Sequence, residues 1–136
     1  MKKLLFVLTL ALALFTSCKK DEEKNDKFAY PLTDLYGTWD ATELYSGGKW
    51  IDVTKYPYDK FAMAIKFNSD GTFSGWGYFG SGSGTYEAKG KTITTYISGK
   101  VYFKYHVVTF DSKNGKAELK MQYTSGDVMP IRVKRR

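Results

Sequence analysis

The sequence predicts an all-β protein, a single small antiparallel up-and-down β-barrel of about eight strands, preceded by a signal peptide and a flexible tether. Three observations predict it. Turn signals recur about every ten residues from Leu35 onward, the spacing of an antiparallel meander. The pieces between them are rich in β-branched and aromatic residues, as in Thr92–Ile97 and residues 101–110. Within them the pattern alternates: Leu119, Met121 and Tyr123 face one way, and Glu118, Lys120 and Gln122 the other. A meander of this kind must manage its edges, and closing into a barrel removes them.

In chain order, the first element is an address label. Lys2 and Lys3 precede an apolar run over residues 4–15 that only Thr9 interrupts, and Thr16, Ser17 and Cys18 follow. The run is shorter than the ~20 residues a permanent spanning helix needs. It is apolar on all sides, unlike an amphipathic core helix. Residues 1–17 therefore read as a secretion signal. Residues 19–27 carry four basic and four acidic side chains and no apolar one. Nothing there buries surface, so residues 18–34 read as a solvated tether.

The barrel domain is expected over residues 35–136. Residues 34–36 can make one helical turn before it. Strands are expected near residues 38–46, 62–67, 72–79, 83–88, 92–97, 101–110, 116–123 and 128–134, with an extra short piece at 50–53. Asn68-Ser69-Asp70-Gly71 has the composition of a tight turn between the second and third strands. Residues 54–60, which contain Tyr56-Pro57-Tyr58, read as a loop or a single helical turn. By parity Met63, Ile65, Phe67, Phe103, Tyr105, Met121 and Tyr123 point inward, unless a bulge inverts part of the pattern.

The composition excludes several function classes. Aromatic residues make up 17% of the chain, too many for a disordered protein. One Cys excludes a disulfide scaffold, and one short apolar run excludes a multi-helix membrane protein. Catalytic groups are scarce. His106 is the only imidazole and sits mid-strand between Tyr105 and Val107, with no nucleophile motif beside it. A zinc site needs three or four ligands. Gly75-Trp76-Gly77 and the glycines of residues 80–84 lack the helix and Lys-Ser/Thr of a phosphate loop. Glu43 and Glu87 are available for glycoside hydrolysis, but no pattern supports them. The expectation is a non-enzyme with no catalytic residue, metal or cofactor. The basic tail Arg132-Val133-Lys134-Arg135-Arg136 is too short to imply a nucleic-acid partner. Lys134 and Arg136 are expected to be solvated or near anionic head groups.

Two resemblances sharpen this reading. Phe15-Thr16-Ser17-Cys18 resembles the lipobox of bacterial lipoproteins, departing from the commonest pattern at Phe15, where Leu is usual. It implies cleavage before Cys18, a diacylglycerol on its thiol and an acyl chain on its amino group. At ~0.8 kcal/mol per buried CH2, such chains anchor the protein permanently. Removing 17 of the 136 residues leaves 119, and losing Lys2 and Lys3 turns the formal charge of +7 into +5. Lys20-Asp21-Glu22-Glu23 is similar to the acidic surface-export signal that follows the acylated Cys in lipoproteins of the Bacteroides group. That implies an outer-membrane lipoprotein exposed at the cell surface; the alternative is a periplasm-facing one.

Gly37-Thr38-Trp39 resembles the Gly-x-Trp signature that opens the first strand of lipocalins. The layout of that motif, residues 67–73 and Gly84-Thr85-Tyr86 is similar to short lipocalin-like domains of Bacteroides-type lipoproteins. The resemblance spans residues 35–136. It implies a barrel floor built from Gly37, Trp39 and a basic residue near the chain end, Arg132 or Arg135, with Arg135 the candidate, packed over the Trp by cation–π contact. The long C-terminal helix and disulfide of full-length lipocalins have no counterpart here.

Lipocalin-like barrels admit ligands at the open mouth. The resemblance therefore points to Trp50, Tyr56, Tyr58, Trp76, Tyr78 and Phe79 as lining residues, with Phe103, Tyr105, Met121 and Tyr123 below them. The same aromatics could instead plug the barrel end as core. Two functions follow. One is a membrane-anchored binding protein holding a small apolar or amphipathic ligand at the mouth. The other is a side-chain-filled barrel serving as an interaction or structural module for another envelope protein. A mouth-connected pocket of roughly 300 Å³ or more separates them.

Overall fold

The computed structural model describes residues 27–136; the signal peptide, Cys18 and most of the tether lie outside them. A short helix α1 (Leu32–Leu35) leads into nine strands: β1 (Gly37–Ser46), β2 (Lys49–Asp52), β3 (Met63–Phe67), β4 (Thr72–Gly77), β5 (Gly82–Lys89), β6 (Thr92–Ile97), β7 (Lys100–Asp111), β8 (Lys116–Gln122) and β9 (Val128–Arg135). A 3-10 turn (Asp59–Phe61) interrupts the connection from β2 to β3.

Every strand pairing is antiparallel, and each strand from β3 to β8 pairs with the next in the chain. β9 pairs back onto β1 from Trp39↔Arg135 to Leu44↔Ile131, which closes an eight-stranded barrel. β2 is the extra strand. The other edge of β1 is shared, its first half by β3 (Gly37↔Phe67) and its last residues by β2 (Ser46↔Lys49). Closure leaves the barrel strands without an edge, consistent with the meander pattern.

The strands alternate as the sequence implies. Leu119, Met121, Ile65, Phe67, Ile93, Ile131 and Val133 are buried inside with Trp39 and Phe73. Three bulges shift the parity. The one between Val107 and Thr109 turns Phe110 inward, where its ring meets Trp39 at 5.7 Å. The one between Thr94 and Tyr96 leaves Phe103 without a ladder partner. Thr95, fully buried, supplies one: its hydroxyl donates to the Phe103 carbonyl at 2.8 Å and accepts from the Phe103 N–H at 3.0 Å. The third, between Ala41 and Glu43, lies where β1 begins to leave β3 for β2.

Gly84 lets β5 lie against β6. A Cβ there would overlap the Tyr96 carbonyl oxygen, so no side chain fits.

Residues 28–34 pack on the barrel. Ala29 N–H donates to the Gly90 carbonyl at 2.7 Å, and Gly90 N–H donates to the Lys27 carbonyl at 2.8 Å. Phe28 and Tyr30 pack on Phe110 at 6.2 and 4.8 Å. Two aromatics and a helical turn with buried Leu35 give residues 28–34 apolar surface to bury, which the charged segment before them lacks.

Candidate functional site

The barrel has two unlike ends, fixed by strand direction. The floor end holds the start of β1, the end of β9 and the turns at residues 68–71, 90–91 and 112–115. The mouth end holds the turns at 47–48, 53–62, 78–81, 98–99 and 123–127.

At the floor, Trp39 is buried and its indole N–H donates to the Leu35 carbonyl at 2.8 Å. The Arg135 guanidinium lies 5.9 Å from the Trp39 ring centre and donates to the Asp34 carbonyl at 2.8 Å. Gly37 has φ +123°, a region glycine favours, and a Cβ there would touch the Arg135 side chain at 3.4 Å. Gly37, Trp39 and Arg135 thus meet in one cluster. Arg132 sits elsewhere, on the outer wall. It stacks on Trp50 at 3.9 Å and pairs with Glu43 and Glu118 at 3.3 and 3.2 Å.

The interior is filled. A void of about 10 Å³ remains among Leu35, Trp39, Phe67 and Leu119, and one of about 20 Å³ beside Met63, Phe73 and Phe103. A water needs ~10–15 Å³, so neither holds more than one or two waters. Tyr105 and Met121 are buried, and Phe103 and Tyr123 pack against the core in a ring ladder at 5.3 Å. Tyr102, on the residue before Phe103, also packs inward, stacked near Phe73 at 6.3 Å. Burial pushes the Tyr105 and Tyr123 phenols up, so both are neutral at physiological pH.

The mouth is different. A cavity of about 160 Å³ opens there, lined by Leu44, Ser46, Ile51, Val53, Phe61, Tyr78, Phe79 and Met129. Its walls come from β1, β2 and the residue after it, the 3-10 turn, the turn after β4 and the start of β9. Phe61 and Tyr78 meet edge to face at 4.8 Å, and Tyr78 and Phe79 at 5.0 Å.

Of the lining residues expected from the sequence, Tyr78 and Phe79 reach this cavity, and four do not line it. Trp50 is on the outer wall under Arg132. β2 alternates, so Ile51 and the following Val53 turn inward while Trp50 turns out. Trp76 is outside as well, 38% exposed, with Arg136 6.0 Å away. Tyr56 is 89% exposed and Tyr58 42% exposed on the loop beyond β2. Tyr105 and Met121 lie deeper, in the filled interior, while Phe103 and Tyr123 are half-buried, Tyr123 at the mouth-end turn 6.1 Å from Phe79. The sequence alone does not single out Ile51, Val53 and Phe61. The signal for the first two is Asp52, whose outward placement fixes its neighbours.

The groups weighed for catalysis are apart. His106, on the outer wall, is within 2.6 Å of Gln122 Oε1 and 3.2 Å of Thr92 Oγ1. Glu43 pairs with Arg132, and Glu87 pairs with Lys89 at 3.6 Å. An outer-wall groove of about 420 Å³ runs over β7, β8, β9 and β1. Its lining includes charged side chains, with Glu43 and Glu118 already matched by Arg132. No group of three or more His, Cys, Asp or Glu among the described residues is placed to hold a metal ion.

Comparison with protein-family models, with curated proteins and with solved structures gave no match.

Proposed function

We propose that this chain is a lipid-anchored, lipocalin-like binding protein that takes the apolar end of a small amphipathic ligand at the barrel mouth. The observation that carries the reading is the apolar mouth cavity above a filled interior. At about 160 Å³ it is near half the ~300 Å³ at which a pocket encloses a whole ligand. It is close to the ~150 Å³ of a dry apolar cavity that admits benzene. The fitting guest is therefore an aromatic ring or a short branched chain. The polar remainder of the ligand stays outside, beside Tyr56, Tyr58 and Tyr78. The cluster of Gly37, Trp39 and Arg135 supports the lipocalin-like part of the reading, and Phe15-Thr16-Ser17-Cys18 supports the anchor.

The filled interior favours the second reading to the same degree that it limits the first. If the mouth takes no small molecule, its exposed aromatic loop is the natural contact for a side chain of another envelope protein.

Titration with the fluorescent probe N-phenyl-1-naphthylamine tests the first reading. Ile51→Trp fills the cavity from its wall. It is expected to weaken probe binding by roughly tenfold or more, since a guest and a filling ring compete for one volume. Unchanged binding in Ile51→Trp, or no binding by the native chain, overturns the mouth site. The anchor is tested separately. Cys18→Ala is expected to lose palmitate labelling and detergent-phase partition, and native-like partition of the variant overturns it.

A further inference from the structure

We propose that the floor end of the barrel is a docking face for anionic phospholipid head groups, which holds the mouth away from the membrane. The chain is fixed at this end: the hydrogen bonds between Lys27, Ala29 and Gly90 hold the entry segment on the β5–β6 turn. Nine peptide links separate Cys18 from Lys27, a reach of at most about 30 Å. An acylated Cys18 therefore keeps the floor near the bilayer, and charge decides which face turns toward it.

The floor carries that charge. Lys27, Lys89, Lys91, Lys113, Lys116 and Lys134 are all exposed around the entry point and the two turns beside it. Only Lys89 pairs with an acid among the described residues, Glu87 at 3.6 Å. The acids in these turns, Asp70 and Asp111, are exposed but hydrogen-bonded within their own loops. Asp111 accepts from the Asn114 side chain at 2.8 Å and its backbone at 3.2 Å. Asp70 accepts from Thr72 at 2.6 and 3.0 Å. The mouth lacks such a surplus: Lys49, Lys55, Lys60 and Lys100 there are nearly balanced by Asp52, Asp59 and Asp127. Clustered lysines held near a surface of anionic lipid are attracted within about a Debye length, and the attraction is screened by salt.

The inference rests on the anchoring reading for which membrane is met, but its test does not use the acyl chain. The mature chain without Cys18, residues 19–136, carries no acyl chain and contains the whole closed barrel. It is sedimented with vesicles of phosphatidylcholine alone or with 40 mol % phosphatidylglycerol. Binding is expected to be roughly tenfold or more stronger on the anionic vesicles at low salt and to disappear at half-molar salt. Replacing Lys89, Lys91, Lys113 and Lys116 with Glu should abolish it. The matching Glu replacements at Lys49, Lys55 and Lys60 should leave it intact. Melting curves show that each variant is folded, and a Gln series replaces any that is not. Equal binding to both vesicle types, no binding, or loss on changing the mouth lysines instead overturns the proposal. Failure of Cys18 acylation alongside intact vesicle binding breaks the anchor and not the docking face.

Discussion

At the floor, Leu35, Trp39, Phe110 and Leu119 converge until about 10 Å³ is left among them; at the mouth, Leu44, Ile51, Val53 and Phe61 stand apart around about 160 Å³. The same strands run through both ends, so the strands themselves do not set the difference. It comes from what the chain adds at each. The floor receives α1, the aromatic pair Phe28 and Tyr30, and the C-terminal strand end, all tied by hydrogen bonds to backbone carbonyls. The mouth receives a four-residue strand and a loop whose tyrosines point into solvent. The barrel interior is therefore closed by packing at one end and opens on an apolar cavity at the other. Loops carrying binding groups on a rigid scaffold follow the same division.

That contrast can be broken by mutation. Trp39→Ala should have the largest effect, a loss of about 3–5 kcal/mol, because it removes a buried indole and a hydrogen bond from a packed end. Denaturant unfolding measures it, and an unchanged midpoint would remove Trp39 from the core. Thr95→Val tests the region between the two ends. It keeps the shape but leaves the Phe103 N–H and carbonyl unmatched, at a cost of about 1–3 kcal/mol, and Thr95→Ser should restore most of it. Arg135→Gln removes the contact with Trp39 and the bond to Asp34, for about 1–2 kcal/mol, and the same change at Arg132 should cost less. Tyr56→Ala should lie within about 0.5 kcal/mol of the native chain, since the side chain is 89% exposed. A mouth substitution as costly as Trp39→Ala would erase the distinction.

Much of the scaffold is legible in the sequence. Hairpin turns with glycine and a strict period of two leave few registers open, so the eight strands and the extra piece at residues 50–53 lie within a few residues of where the pattern puts them. Parity is legible where strands are regular, as for Met63, Ile65 and Phe67. It fails at bulges, which depend on pairing across the sheet. Phe110 and Tyr102 turn inward only because the neighbouring strands shift by one residue. The candidate site is less legible. Trp50 and Trp76 draw attention by size, yet the alternation of short strands puts both outside, and smaller Ile51 and Val53 line the cavity. The choice between Arg132 and Arg135 requires the closure of β9 on β1, which no local pattern encodes.

Methyl NMR gives the most direct test of the mouth as the binding end. Benzene is titrated into protein labelled at Ile, Leu, Val and Met methyl groups. The signals of Leu44, Ile51, Val53 and Met129 should shift together with a single dissociation constant. Those of Ile93, Leu119 and Val133, at the floor end, should stay fixed. Shifts at Ile93 and Leu119 that match or exceed those at Ile51, or no shift at either end, would contradict the account.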